Sequence, residues 1–111
     1  MKRDYRLYLQ DMRDCVLQIE EYLSGISEET FRQDRMLQDA VVRRLEIIGE
    51  ASRNIPRVLK EKNKHIPWFD LSQFRDFISH AYFTLSLTTL WKTATERIPL
   101  LKEQLKRVTL V

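Results

Sequence analysis

Residues 5–23 read YRLYLQDMRDCVLQIEEYL, and within them Tyr5, Tyr8, Leu9, Met12, Cys15, Val16, Ile19, Tyr22 and Leu23 recur at the three-and-four spacing of a helix. That spacing gathers the apolar side chains along one stripe and leaves the charged ones on the other face. Ser24 and Gly25 end the stripe, glycine suiting the left-handed residue just past a helix. Ser27 followed by Glu28 and Glu29 predicts a short helical turn with acids at its positive end.

A second stripe runs Leu37, Ala40, Val41, Leu45, Ile48, Ala51, Ser52 and Ile55. Pro56 disfavours helix at the residue before it, which predicts an end near Arg53 and Asn54, with Pro56 opening a short helical piece through Leu59. Lys60 to His65 reads as a basic loop. Ile66 to Asp70 reads as an apolar hinge, with Asp70 capping a third helix from about Leu71 to Tyr82. A fourth helix carries Leu87, Leu90, Trp91, Ala94, Ile98, Leu101 and Leu105 to the end of the chain, and Pro99 should bend it rather than end it. The expectation is one all-α domain over residues 1–111, an up-and-down bundle of about four main helices.

Composition agrees. Two Gly and three Pro among 111 residues are too few for the tight turns that strands in a small domain require. With 43% apolar residues, and 19 basic side chains against 16 acidic, a disordered tail, a collagen-like repeat and a strongly basic nucleic-acid wrapper are excluded. A folded monomer of this length buries roughly 65% of its unfolded surface, modest enough that dimerisation would help. The lone Cys15 cannot form an internal disulfide, which suits a reducing cytoplasm. No segment has the apolar core of a secretion signal or the ~20 uncharged residues of a membrane span, so no membrane association is expected.

Charge is unevenly spread. Residues 1–30 hold four basic and seven acidic side chains, whereas residues 43–64 hold seven basic and three acidic. Arg43, Arg44, Arg53, Arg57, Lys60, Lys62 and Lys64 are thus candidate phosphate contacts, the alternative being a solvated helix face. Trp68 and Trp91 read as core or dimer contacts, with base stacking by Trp68 as the alternative.

Chemistry concentrates in Arg75-Asp76-Phe77-Ile78-Ser79-His80-Ala81-Tyr82. His65, by contrast, falls in the Lys-rich loop, where exposure is expected. Asp76 and His80 are four apart and could form a helix-surface ion pair. A straight helix also separates Arg75 from His80 by about 140°, while Arg75 and Tyr82 nearly share a face. Both side chains can reach one point only if the helix distorts near Ser79 and His80, or if a second copy of the segment supplies one of them. Nothing else points to an enzyme: the chain has no Gly-x-Ser-x-Gly elbow, no Gly-rich phosphate loop and no Glu-x-x-His pairs of a di-metal bundle.

The spacing Arg-x4-His-x-Tyr, at the end of the third helix of a small four-helix protein, resembles the signature of HEPN-domain toxins of the HepT type. Flanking residues extend the resemblance over nearly the whole chain: Ile48-Gly49-Glu50-Ala51, Ile66-Pro67-Trp68, Tyr82-Phe83 and Leu90-Trp91. The resemblance implies a homodimeric ribonuclease that uses no metal or other cofactor, paired with a minimal nucleotidyltransferase antitoxin of the MntA type. It makes Arg75 and His80 catalytic and Tyr82 the group to which the antitoxin attaches AMP. Asp76 stands where such toxins often have Asn, as a supporting residue.

Those residue types suit RNA cleavage, because RNA carries its own nucleophile in the 2′-hydroxyl. The reaction needs a base for that proton, an acid for the leaving 5′-oxygen and a cation for the phosphorane. Imidazole titrates near neutrality, and guanidinium stays charged and grips phosphate with two parallel donors. The target would be tRNA or another structured RNA. The competing expectation is a non-catalytic HEPN module that binds a nucleotide or the nucleotidyltransferase partner.

Overall fold

A computed structural model describes the backbone of residues 3–81 and 86–110, and the side chains of these except 75–81. Helix α1 (Tyr5–Leu23) forms on the first stripe. Asp4 caps it, its carboxylate accepting the Arg6 backbone N–H at 2.9 Å. Leu9, Met12, Cys15, Val16 and Ile19 are its buried residues. Gly25, at φ 72°, supplies the left-handed residue expected after it.

Ser27 caps the short α2 (Glu28–Gln33), accepting the Thr30 N–H at 3.1 Å. Asp34 then caps α3 (Arg35–Arg53) by accepting the Leu37 N–H at 2.9 Å. Helix α3 ends at Arg53, where Pro56 required it to. Helix α4 (Arg57–Lys62) runs a turn further than expected, so Lys60 to Lys62 are helical and not part of a loop.

The third main helix, α5 (Trp68–Ala81), starts three residues earlier than expected. Asp70 therefore lies in its first turn, where a carboxylate faces the positive helix end, instead of capping it. The hinge is anchored by Asn63, which is 1% exposed. Its Nδ2 donates to the carbonyls of Leu59 and Thr109, both at 2.9 Å, and its Oδ1 accepts the Thr109 N–H at 2.7 Å. The Asn63 carbonyl accepts Trp68 Nε1–H at 3.0 Å and the Ile66 N–H at 3.1 Å.

The last helix is continuous but not uniform. Helix α6 (Leu87–Lys92) widens into a π-helical turn, Thr93–Arg97, and continues as α7 (Ile98–Lys106). The wide turn is marked by the Ile98 N–H donating to the Thr93 carbonyl. Two causes converge on it: Pro99 lacks an N–H, and the hydroxyls of Thr93 and Thr95 donate back to the carbonyls of Thr89 and Trp91 at 2.8 and 2.7 Å. Pro99 thus shifts the helix without ending it, and Ala94, Ile98, Leu101 and Leu105 all stay buried.

Helix α3 packs against both α1 and α5, and α7 closes on α1. One core joins them, and each side chain fully buried in it contributes roughly 1.5–3 kcal/mol. Phe31, fully buried, seats α2 against Trp91, the ring centroids 5.2 Å apart. Arg13 Nη2 donates to the Leu105 carbonyl at 3.2 Å, and Lys102 pairs with Glu20 at 2.9 Å, which ties α1 to α7. Among the described residues there is no strand, and no helix is long and apolar enough to cross a membrane.

Candidate active site

Helix α5 carries the motif, and its first half is fixed by the core. Trp68, Leu71 and Phe74 form the inward stripe, at 8, 2 and 4% exposure. Burial and the Nε1–H bond leave Trp68 no ring face for a base, so it is a core residue and not a stacking platform. Trp91 is half-buried against Phe31.

The helix continues without a break to Ala81, so the backbone shows no distortion at Ser79 and His80. Arg75 and His80 consequently keep their separation of about 140° around one axis. By register, His80 lies two turns beyond Gln73 on the same strip, while Arg75 lies one turn beyond Leu71. The side chains of Arg75, Asp76 and His80, the suggested Asp76–His80 pair, and Tyr82 altogether fall outside the described residues.

Beside that strip opens a cleft of about 420 Å³, walled by Asp70, Gln73 and Phe74 of α5 and by Thr89, Thr93 and Arg97 of the last helix. The Arg97 guanidinium lies over the Phe74 ring, 5.0 Å from its centroid. Such stacking holds a guanidinium plane while leaving its N–H edge open. Apart from Asp70, which was read only as a helix cap, these residues drew no notice in sequence reasoning. Their only signal was Pro99 inside an otherwise regular helical stripe.

The basic residues of 43–64 do not form one open patch. Arg43 is ion-paired with Glu46, and Arg44 Nη1 donates to Gln18 Oε1 at 3.0 Å from a half-buried position. Arg57 pairs with Glu61 at 3.2 Å. Lys60 is half-buried, and burial lowers its pKa. Arg53, Lys62 and Lys64 are exposed at the end of the bundle where α5 begins. Twelve residues of helix, about 18 Å, separate that end from His80 in the same copy.

His65 is exposed as expected, and its Nε2–H donates to the Gln104 carbonyl at 3.0 Å, a structural contact. Cys15 is a buried free thiol whose pKa burial pushes up, with Arg44 nearby pulling it down. Among the described residues no His, Cys, Asp and Glu side chains gather in threes as a metal-binding group.

Residues 12–108 match the family model described as Ribonuclease HepT-like. A Thermococcus cleftensis protein named "Probable ribonuclease HepT" is 44% identical over 108 residues, covering 97% of this chain and 98% of that one. A Caldanaerobacter subterraneus subsp. tengcongensis protein with a provisional RNase name is 39% identical over 104 residues, covering 93% of this chain and 92% of its own length. A longer Methanocaldococcus jannaschii protein, whose name joins a gamma-glutamylcyclotransferase to a provisional RNase, is 39% identical over 108 residues; the match takes 97% of this chain and 49% of that protein. No solved structure matches the chain.

Proposed function

The chain belongs to the HepT-like ribonuclease family, and on that premise we propose that it is the RNA-cleaving toxin of a toxin–antitoxin pair. The observation that carries the reading is that the family match spans all of α5, with Arg75, His80 and Tyr82 inside it. Its substrate is tRNA or another structured RNA, and its site of action the cytoplasm.

Because α5 is unbroken, the reading places the reaction between two copies, each giving Arg75 and His80 to a shared cleft. A neutral imidazole takes the proton of the 2′-hydroxyl as that oxygen attacks the adjacent phosphorus. The bond from phosphorus to the 5′-oxygen breaks, and the leaving oxygen takes a proton from an imidazolium. Guanidinium groups hold the charge that grows on the non-bridging oxygens. Every proton is handled by a side chain, so the reaction runs without a metal. Asp76 supports the motif, orienting His80 one turn away.

The same reading includes silencing. A minimal nucleotidyltransferase partner transfers AMP from ATP to the Tyr82 oxygen: a Tyr–phosphorus bond forms, pyrophosphate leaves and the phenolic proton is lost. The added group is bulky and negative, and it excludes RNA by contact and by like charge. Of the basic residues of 43–64, Lys62 and Lys64 attract RNA at long range; Arg43, Arg44 and Arg57 serve mainly their own ion pairs and hydrogen bonds.

The test is cleavage of bulk tRNA in EDTA by the dimeric, unmodified protein. Wild type should cut, and His80→Ala and Arg75→Ala should each be slower by at least about 100-fold. Intact RNA in the wild-type lane would instead identify a non-catalytic module that binds a nucleotide or the nucleotidyltransferase. An intact mass without added AMP after co-expression with such a partner would remove Tyr82 as acceptor.

A further inference from the structure

We propose that the cleft between α5 and the π-helical turn is a subsite for an RNA phosphate flanking the scissile bond, with Arg97 as its ligand. This rests on the RNA-cleaving reading above. Three features of the cleft point to an anion on an extended polymer.

First, Arg97 is exposed and has no ion-pair partner among the described residues, unlike Arg3, Arg6, Arg32, Arg43 and Arg57. Its guanidinium rests on the Phe74 ring, and Phe74 is itself buried, so the cation is held on a rigid base. Little side-chain entropy remains to be lost when an anion binds it.

Second, the surroundings are polar and graded. Gln73 and Thr89 are exposed hydrogen-bonding side chains in the same cleft. Asp70 also lines it, at the end remote from His80, without closing an ion pair to Arg97. Its charge repels an anion from that end and shifts it toward Gln73, which is nearer the motif along α5.

Third, the register is suitable. From Phe74 to His80 is six residues along an unbroken helix, about 9 Å, the reach of a neighbouring nucleotide. Gln73 and His80 lie on one strip by register, so a phosphate held at Arg97 is within a neighbouring nucleotide's reach of the His80 position along α5. Arg97 is the last residue of the π-helical turn, so the widened turn sets where its side chain leaves the helix.

The experiment compares Arg97→Gln with Lys106→Gln, a charge control at the far end of α7, in otherwise wild-type and in His80→Ala proteins. Binding of labelled bulk tRNA by the His80→Ala proteins is measured across a salt series, and cleavage by the others. Removing Arg97 should weaken binding about tenfold and reduce the slope of log affinity against log salt by about one, the signature of one lost phosphate contact. KM should rise about tenfold with kcat within about twofold, since the contact persists from bound substrate to transition state. Arg97→Lys should restore the salt slope, and Lys106→Gln should change little. If wild type cleaves RNA while Arg97→Gln retains affinity, slope and KM, the subsite is overturned and the cleavage reading stands. If wild type neither binds nor cleaves RNA, both fall.

Discussion

Replacing Asn63 with alanine tests how the motif helix is held. The side chain makes three hydrogen bonds, two donated to the carbonyls of Leu59 and Thr109 and one accepted from the Thr109 N–H. Each contributes about 1 kcal/mol net, and the stranded groups lose access to water as well, so the substitution should cost about 3 kcal/mol. For a domain of this size that lowers Tm by about 13 °C. Asn63→Asp should cost at least as much, because a carboxylate would face two carbonyls where the amide donated. Urea and thermal unfolding monitored by helical circular dichroism give the values. Two of the three bonds join Asn63 to Thr109, so in a chain ending at Arg107 the same alanine substitution should cost only about a third as much. A loss below about 0.5 kcal/mol, or an equal loss in the shortened chain, would refute the claim that this amide staples the start of α5 to the C-terminal segment.

Two further outcomes follow from the helix ends. Gly25→Ala should lose about 1 kcal/mol in urea unfolding although nothing lies within 4 Å of the added methyl, because the cost is purely that of φ 72°; Gly25→Asn should recover part of it. The Asp4 carboxyl is held below its ordinary value, first by the Arg6 guanidinium and then by the Arg6 backbone N–H. A lowered folded-state value stabilises above the ordinary carboxylate range and is lost as pH falls through the lowered one. The urea midpoint should therefore depend less on pH between about 5 and 2 in Asp4→Asn than in wild type, and an unchanged acid limb would count against the cap.

The main helices were legible because burial is periodic. Leu9, Met12, Val16 and Ile19 could be named from spacing and are all buried, as are Val41, Leu45 and Ile48. Caps and breaks at Gly25, Ser27 and Pro56 were legible for a similar reason, since each acts through its own backbone. Errors arose where a distant contact outweighs local preference. Lys60 to His65 looked like a loop from its charge, yet Leu59 is buried and keeps α4 helical through Lys62. Asp70 looked like a cap, yet Trp68 Nε1–H reaches back to Asn63 and starts α5 earlier.

For the site, sequence alone determined the inventory: which residues can move protons, which can hold a phosphate, and that Arg75 and His80 cannot converge from one straight helix. Residue type and helical period are enough for that. Only the tertiary structure decided that α5 runs unbroken to Ala81, that Arg43, Arg44 and Arg57 already have partners, and that Arg97 shares a cleft with Phe74 from 23 positions away in sequence. Such pairings depend on which faces of two helices meet. That is settled by packing of the whole core, and no local pattern encodes it.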